Sequence, residues 1–185
     1  RGSSVHKSMM TLAEDWKRIS DGKVKMVIYP DGTQGGEADM VRLMRINSLQ
    51  GGALTSIGLS DIVREVDGLQ GLPLMFNTYE ELDYVNDKMR ATFEKKFDAK
   101  GFVLLFWVDA GWIYYFSKKE IRTPDDLKKM KMFIWAGAPV HAKVVKEAGF
   151  HGVPLETADI QTGLQTGLIE VAAMPPIIAL ATQVD

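Results

Sequence analysis

Two uninterrupted apolar runs, Phe102 to Val108 and Trp112 to Phe116, separated only by Asp109-Ala110-Gly111, constrain this chain more than any other feature. Neither run has a polar face, so both read as strands buried on two sides and joined by a tight turn. Downstream, Thr123-Pro124-Asp125-Asp126 carries the signals of a helix start. A hydroxyl is placed to cap free amides, proline stands where its missing amide costs nothing, and two carboxylates lie at the positive end of the dipole. Met132 to Trp135 is a third apolar strand, closed by Gly137. Three strand ends rich in aromatic residues thus lie close in sequence; where they meet in space, they line one cleft.

Helix and strand signals alternate over the rest of the chain. Val5, Met9, Leu12, Ala13, Trp16 and Ile19 recur at helical spacing, predicting an amphipathic helix over 5–19 that Asp21-Gly22 ends. Lys23 to Tyr29 reads as a strand leaving at the Pro30-Asp31-Gly32 turn, Glu37 to Asn47 as a helix, and Ala53 to Leu59 as a short strand. Leu72 to Phe76 holds a proline and reads as a packed loop, followed by a capping box at Thr78-Tyr79-Glu80-Glu81 and a helix to about Phe97. Pro139 to Ala148 is helical, Gly152 to Leu155 extended, Thr157 caps a helix ending at Gly167, Leu168 to Met174 is a strand, and Ile177 opens another helix. This order implies an α/β fold with mainly parallel sheets and right-handed crossovers. A domain change is expected near 109–117, giving an N-terminal α/β lobe over 1–110 and a second lobe over 111–185.

Several kinds of chemistry are absent from the sequence. With 22 basic and 24 acidic residues, a net charge of -2 and no basic block, nothing points to nucleic acid. No cysteine is present, which excludes disulfides and thiolate chemistry. No apolar stretch reaches bilayer-crossing length. His6 and His141 fall on predicted helices and His151 in a loop, none with a partner at metal-ligand spacing. Serines lack the nucleophile elbow, and Gly35-Gly36 lacks the lysine of a phosphate loop. The expectation is therefore a protein without catalytic residues, metal or cofactor. What remains is an excess of large apolar groups near strand ends: Phe76, Trp107, Trp112, Phe133, Trp135 and Met174. Core packing is the ordinary fate of such residues. An apolar ligand pocket beyond the carboxyl ends of the strands is the alternative, and spacing alone leaves both open.

The order of motifs resembles the substrate-binding proteins of TRAP (tripartite ATP-independent periplasmic) transporters, the DctP-type family. The matching residues are Gly22-Lys23-Val24, Pro30-Asp31-Gly32 with Gly35-Gly36-Glu37, Leu72-Pro73-Leu74-Met75-Phe76, Thr123-Pro124-Asp125-Asp126-Leu127-Lys128 and Leu164-Gln165-Thr166-Gly167. The resemblance implies a periplasmic, two-domain binding protein of the type II-like class that closes on a small organic acid and hands it to membrane permease subunits. In some branches it implies a helical-repeat partner protein. Relative to that family the chain is truncated: the first strand would precede Arg1, and the second crossing with its spanning helix would follow Asp185.

The departures from the family pattern are informative. An arginine of the family aligns with Ile113, the arginine that pairs with the substrate carboxylate aligns with Phe133, and an asparagine aligns with Met174, with Ala173 in place of a glutamate. A bidentate guanidinium offsets the cost of drying a carboxylate. Without it, an apolar cleft would weaken carboxylate binding by several kcal/mol, roughly three orders of magnitude in affinity. Strand alternation and a surface turn direct Lys131 and Arg122, the nearest cations, elsewhere. The expected ligand is therefore hydrophobic or aromatic rather than a dicarboxylate. Its walls would be Phe76, Trp107, Trp112, Ile113, Phe133, Trp135 and Met174, with Gln34 and Ser60 as polar contacts. The alternative is a docking protein of a TRAP-like system that has lost ligand binding.

Overall fold

The computed structural model of the chain describes residues 4–30, 32–68 and 75–184. Its first half is helical: α1 (Ser4–Ile19), α2 (Glu37–Arg45), α3 (Ser56–Ser60), a 3-10 turn (Arg64–Asp67) and the long α4 (Tyr79–Asp98). The second half alternates: β1 (Tyr114–Ser117), α5 (Pro124–Lys128), β2 (Lys131–Trp135), α6 (Pro139–Glu147), β3 (His151–Leu155), a 3-10 turn (Thr157–Asp159), α7 (Ile160–Thr166), β4 (Val171–Met174) and α8 (Pro176–Ala181). Among the described residues no helix is long and apolar enough to cross a membrane.

The four strands form one mixed sheet in the order β1-β4-β2-β3. β2 runs parallel to β3 and β4, while β1 is antiparallel to β4, with Tyr114 opposite Met174. β2 shows why its sequence carries no polar alternation. Met132 and Ile134 face a cluster with Leu127, Met130, Val145 and Val171 on one side of the sheet. Phe133 faces Ile160, Ile169, Ala172, Met174 and Ala179 on the other. A strand covered on both sides is apolar at every position. A third cluster, Val41, Ile62, Val63, Val66, Phe93 and Phe97, fills the first half and shares no member with the other two.

Three strand expectations are corrected. Residues 24–29 and 102–108 run without ladder partners, because among the described residues no strand lies beside either of them. Both keep an inward side, Met26 and Ile28 half-buried and Phe102 and Leu104 packed on the first cluster, while Val27, Val103 and Val108 stand exposed. The expected strand over 53–59 instead turns helical at Ser56, where a side chain from outside the segment takes its amides. His151, expected in a loop, opens β3. Thr157 does not cap: it lies inside the 3-10 turn, and α7 has no side-chain cap. Of the expected loop over Leu72 to Phe76, residues 72–74 lie outside the described residues.

Caps were the most legible local signals. At α5 the box is complete: the Thr123 hydroxyl accepts from the Asp126 amide at 3.4 Å, and Asp126 Oδ2 accepts from the Thr123 amide at 3.0 Å and hydroxyl at 2.9 Å. Donation from the Thr123 side chain, then from the Arg122 and Thr123 amides, holds the Asp126 carboxyl below its ordinary value. At α4, Thr78 accepts from the Glu81 amide, but Glu81 reaches back one residue further, to the Asn77 amide. Thr123→Ala is expected to lower stability by about 1 kcal/mol. Urea unfolding at pH 7 reads it, and Thr123→Ser is expected to keep the native midpoint.

Candidate functional site

The parallel strands β2, β3 and β4 end at Trp135, Leu155 and Met174, which together mark the carboxyl end of the sheet. Since β1 is antiparallel with Tyr114 opposite Met174, Trp112, Ile113 and Tyr114 arrive at that same end. Ligands of open α/β sheets bind beyond this end. α6 follows β2 after a short turn, so its amino end, with the partial positive charge of its free amides, opens there too.

The first half of the chain meets this end at the turn before α2. A side-chain carbon added at Gly36 would lie 2.9 Å from both carboxylate oxygens of Glu156, the residue directly after β3. With no side chain at Gly36, the Glu156 carboxylate rests directly on the backbone there; a methyl at that position would displace it. Next to it, Glu37 ties the turn to α3. Its Oε1 accepts from the Thr55 amide at 2.9 Å, and its Oε2 accepts from the Thr55 hydroxyl at 2.7 Å and the Gly58 amide at 2.9 Å. These donors belong to the start of α3, so Glu37 acts as a cap supplied from 18 residues away. Glu156 is exposed as a residue, but partial drying of its carboxyl against the turn, then the nearby Glu37, Asp159 and Asp39, push that carboxyl above its ordinary value.

The expected contact residues separate into groups. Phe133, 2% exposed, and Met174, fully buried, pack in one closed cluster beneath the sheet end, with Trp135 half-buried against them and its ring 4.9 Å from that of Phe133. Side chains so enclosed present no surface to a solute in this arrangement. Trp112 is 36% exposed and lies 5.2 Å from the Tyr79 ring, while Ile113 is 50% exposed. Trp107 packs edge-on against Phe93 at 5.8 Å in the first cluster's margin. Phe76 and Gln34 are half-buried, and the Ser60 hydroxyl donates to the Ile57 carbonyl at 2.6 Å within its own helical turn. Two surface grooves of about 500 and 460 Å³ run between α4 and residues 102–109, and of the expected contact residues only Trp107 lines either.

Neither Lys131 nor Arg122 is placed to take the role expected of the family's guanidinium. Lys131 opens β2 at the opposite end of the sheet and donates to the Gly167 carbonyl at 2.9 Å. Arg122 pairs with Glu120 at 2.8 Å on the surface. Sequence reasoning passed over Glu156, although its position at the end of a predicted strand marked it, and quoted Gly36-Glu37 without giving either a role. Among the described residues no group of three or more histidine and carboxylate side chains is placed to hold a metal ion.

Residues 1–184 match the family described as bacterial extracellular solute-binding protein, family 7 (DctP). The chain is similar to the 2,3-diketo-L-gulonate-binding periplasmic protein YiaO of Escherichia coli K12, with 28% identity over 163 residues, 83% of this chain and 47% of that protein. Among solved structures it superposes with a TM-score of 0.89 on a TRAP periplasmic solute binding protein from Sulfitobacter sp. NAS-14.1 with bound β-D-galacturonate, at 21% identity, covering 98% of this chain and 61% of that one. A second, from Pseudomonas aeruginosa PAO1 with bound L-malate, gives 0.84 at 21% identity, covering 98% and 63%. At such identities the likeness establishes the fold. The chain spans about half the length of the curated relatives it matches.

Proposed function

The chain belongs to family 7 of the bacterial extracellular solute-binding proteins, and from that membership we propose that it is the periplasmic solute-binding part of a TRAP-type transporter. It takes up a small organic acid and presents it to the membrane permease subunits. The observation carrying this reading is the arrangement of the sheet's carboxyl end, where Trp112, Ile113 and Trp135 arrive and where Glu156 lies against the Gly36 turn. Solved proteins of the same fold have bound galacturonate and malate, and a curated relative is named for 2,3-diketo-L-gulonate. All three are carboxylates, which favours an acid over the hydrophobic ligand expected from sequence. The burial of Phe133 and Met174 further weakens that expectation by removing two of its walls. Two lobes divided near residues 110 and 111 suit the separate core clusters on either side.

The partial charge at the amino end of α6 and hydrogen bonds to the hydroxylated body of a sugar acid would serve where the guanidinium is missing. A second reading, an aromatic ligand, is favoured by the exposure of Trp112 and Ile113 at the sheet end. Calorimetric titration with D-galacturonate, D-glucuronate, L-malate and benzoate separates the two. Binding of any of the first three supports the acid reading. Binding of benzoate alone favours the aromatic one, and a stable protein complex that retains no solute favours a docking role. Ile113→Arg should fold like the native chain, since the site is half exposed. By returning a guanidinium to the sheet end it is expected to tighten uronate binding about tenfold. Unchanged affinity in the same titration would remove position 113 from the solute contacts.

A further inference from the structure

We propose that Glu156 and the amino end of α2 form a proton-sensitive latch: the contact of residues 35–39 with residues 156–159 takes up a proton at Glu156 and loosens when that proton is lost. This goes beyond solute binding and does not depend on which solute is bound. Its basis is a cluster of four carboxylates drawn from two segments more than a hundred residues apart. Glu37 and Asp39 stand in the first turn of α2, Glu156 directly precedes the 3-10 turn after β3, and Asp159 closes that turn.

The contact is close. Both Glu156 oxygens lie within 2.9 Å of where a Gly36 side-chain carbon would stand, so the carboxyl rests on the backbone of the α2 cap. Gly36 itself offers no side-chain cap, and the amino end of α2 attracts negative charge. That end favours an ionised carboxylate, but no described donor gives Glu156 a hydrogen bond, and the three carboxylates around it outweigh the partial charge.

The charged groups acting on Glu156 are Glu37 and Asp39 from α2 and Asp159 from its own turn, all acidic. Two of them are already engaged. Glu37 accepts three donors from Thr55 and Gly58, and Asp39 pairs with Arg42 at 3.2 Å along α2. Arg42 is the cation on α2 next to this cluster, and it is turned to Asp39. Among the described residues neither Glu156 nor Asp159 has a side-chain partner, and of these two Glu156 is the one that lies against the Gly36 backbone and faces the other three carboxylates, so its proton relieves the crowding.

The sign of the pH dependence follows from linkage. A carboxyl whose folded pKa lies above its unfolded value of 4.5 binds a proton more tightly when folded. The contact is at full strength below the unfolded pKa and weakens as pH rises through the folded one. Glu156→Gln keeps the shape and removes the charge, so it is expected to raise the melting temperature at pH 7. The gain should shrink to nothing near pH 4, where the native side chain is itself neutral. A gain equal at both pH values, or none at pH 7, overturns the latch.

A direct reading does not depend on that variant folding. Carboxyl-carbon NMR of the native 185-residue chain should show Glu156 titrating above the ordinary glutamate range. In Gly36→Ala, whose added methyl must push the carboxylate off the α2 cap, the midpoint should fall toward the ordinary value. An ordinary midpoint in the native chain, or no change in Gly36→Ala, would overturn the proposal.

Discussion

Phe133→Arg is expected to unfold the second half of the chain rather than restore a carboxylate clamp. Alignment with the family pattern makes this substitution look like a repair, since Phe133 stands where a substrate-pairing arginine is expected. The structure makes it a lesion. Phe133 is 2% exposed and packs among Ile160, Ile169, Ala172, Met174 and Ala179. Among the described residues no polar or charged side chain is buried, so a guanidinium there would be dry and unpaired. Loss of the ring alone costs about 3 kcal/mol or more. An unpaired charge adds a comparable amount, even after the side chain bends toward water. Together these approach the whole stability of a typical domain, roughly 5–15 kcal/mol. Urea unfolding followed by tryptophan fluorescence should show Phe133→Arg unfolded or nearly so at 25 °C, with Phe133→Leu losing only about 1 kcal/mol. A native midpoint for Phe133→Arg would mean that the position opens to solvent, and the argument that Phe133 is closed to solutes would fall with it.

The contrast between positions 133 and 113 shows what the sequence could and could not convey. By the resemblance alone, both are positions where a polar anchor is expected and an apolar residue stands. Their fates were not legible, because burial depends on which face of which strand a residue occupies and on what covers it. Phe133 faces the side closed by α7 and α8, whereas Ile113 precedes β1 at the sheet margin, half exposed. The longer helices and the strands ending at Trp135, Leu155 and Met174 were readable because periodicity, caps and breakers are local. Strand pairing is not a local property. Residues 24–29 and 102–108 have the composition of strands, yet they lack described neighbours with which to form a ladder. The helix at Ser56–Ser60 was misread for a related reason: the carboxylate that turns the chain at Thr55 belongs to Glu37. The same distance in sequence hid the cluster around Glu156, whose members lie on two segments that no periodicity connects.

Gly58→Ala should destabilise the chain in the presence of Glu37 and stabilise it in its absence, a reversal that tests whether Glu37 organises the segment facing the sheet end. A side-chain carbon at Gly58 would collide with the Glu37 carboxylate, whose Oε2 accepts from the Gly58 amide. Since this is backbone bonded to a held carboxylate, relief requires breaking that bond, and the expected cost is about 2 kcal/mol. Glu37→Ala alone removes all three bonds to Thr55 and Gly58 and should cost about 3 kcal/mol, because two backbone amides lose a charged acceptor. With the carboxylate gone, nothing opposes a methyl at position 58, and alanine is a better helix former than glycine by about 1 kcal/mol. The double variant is therefore expected to be more stable than Glu37→Ala by roughly that amount, giving a coupling of about 3 kcal/mol between the two sites. Denaturant midpoints of the four proteins measure it. Additive losses would mean that α3 forms without help from α2, and that the Gly36-Glu37 turn does not hold the first half of the chain in place opposite Glu156.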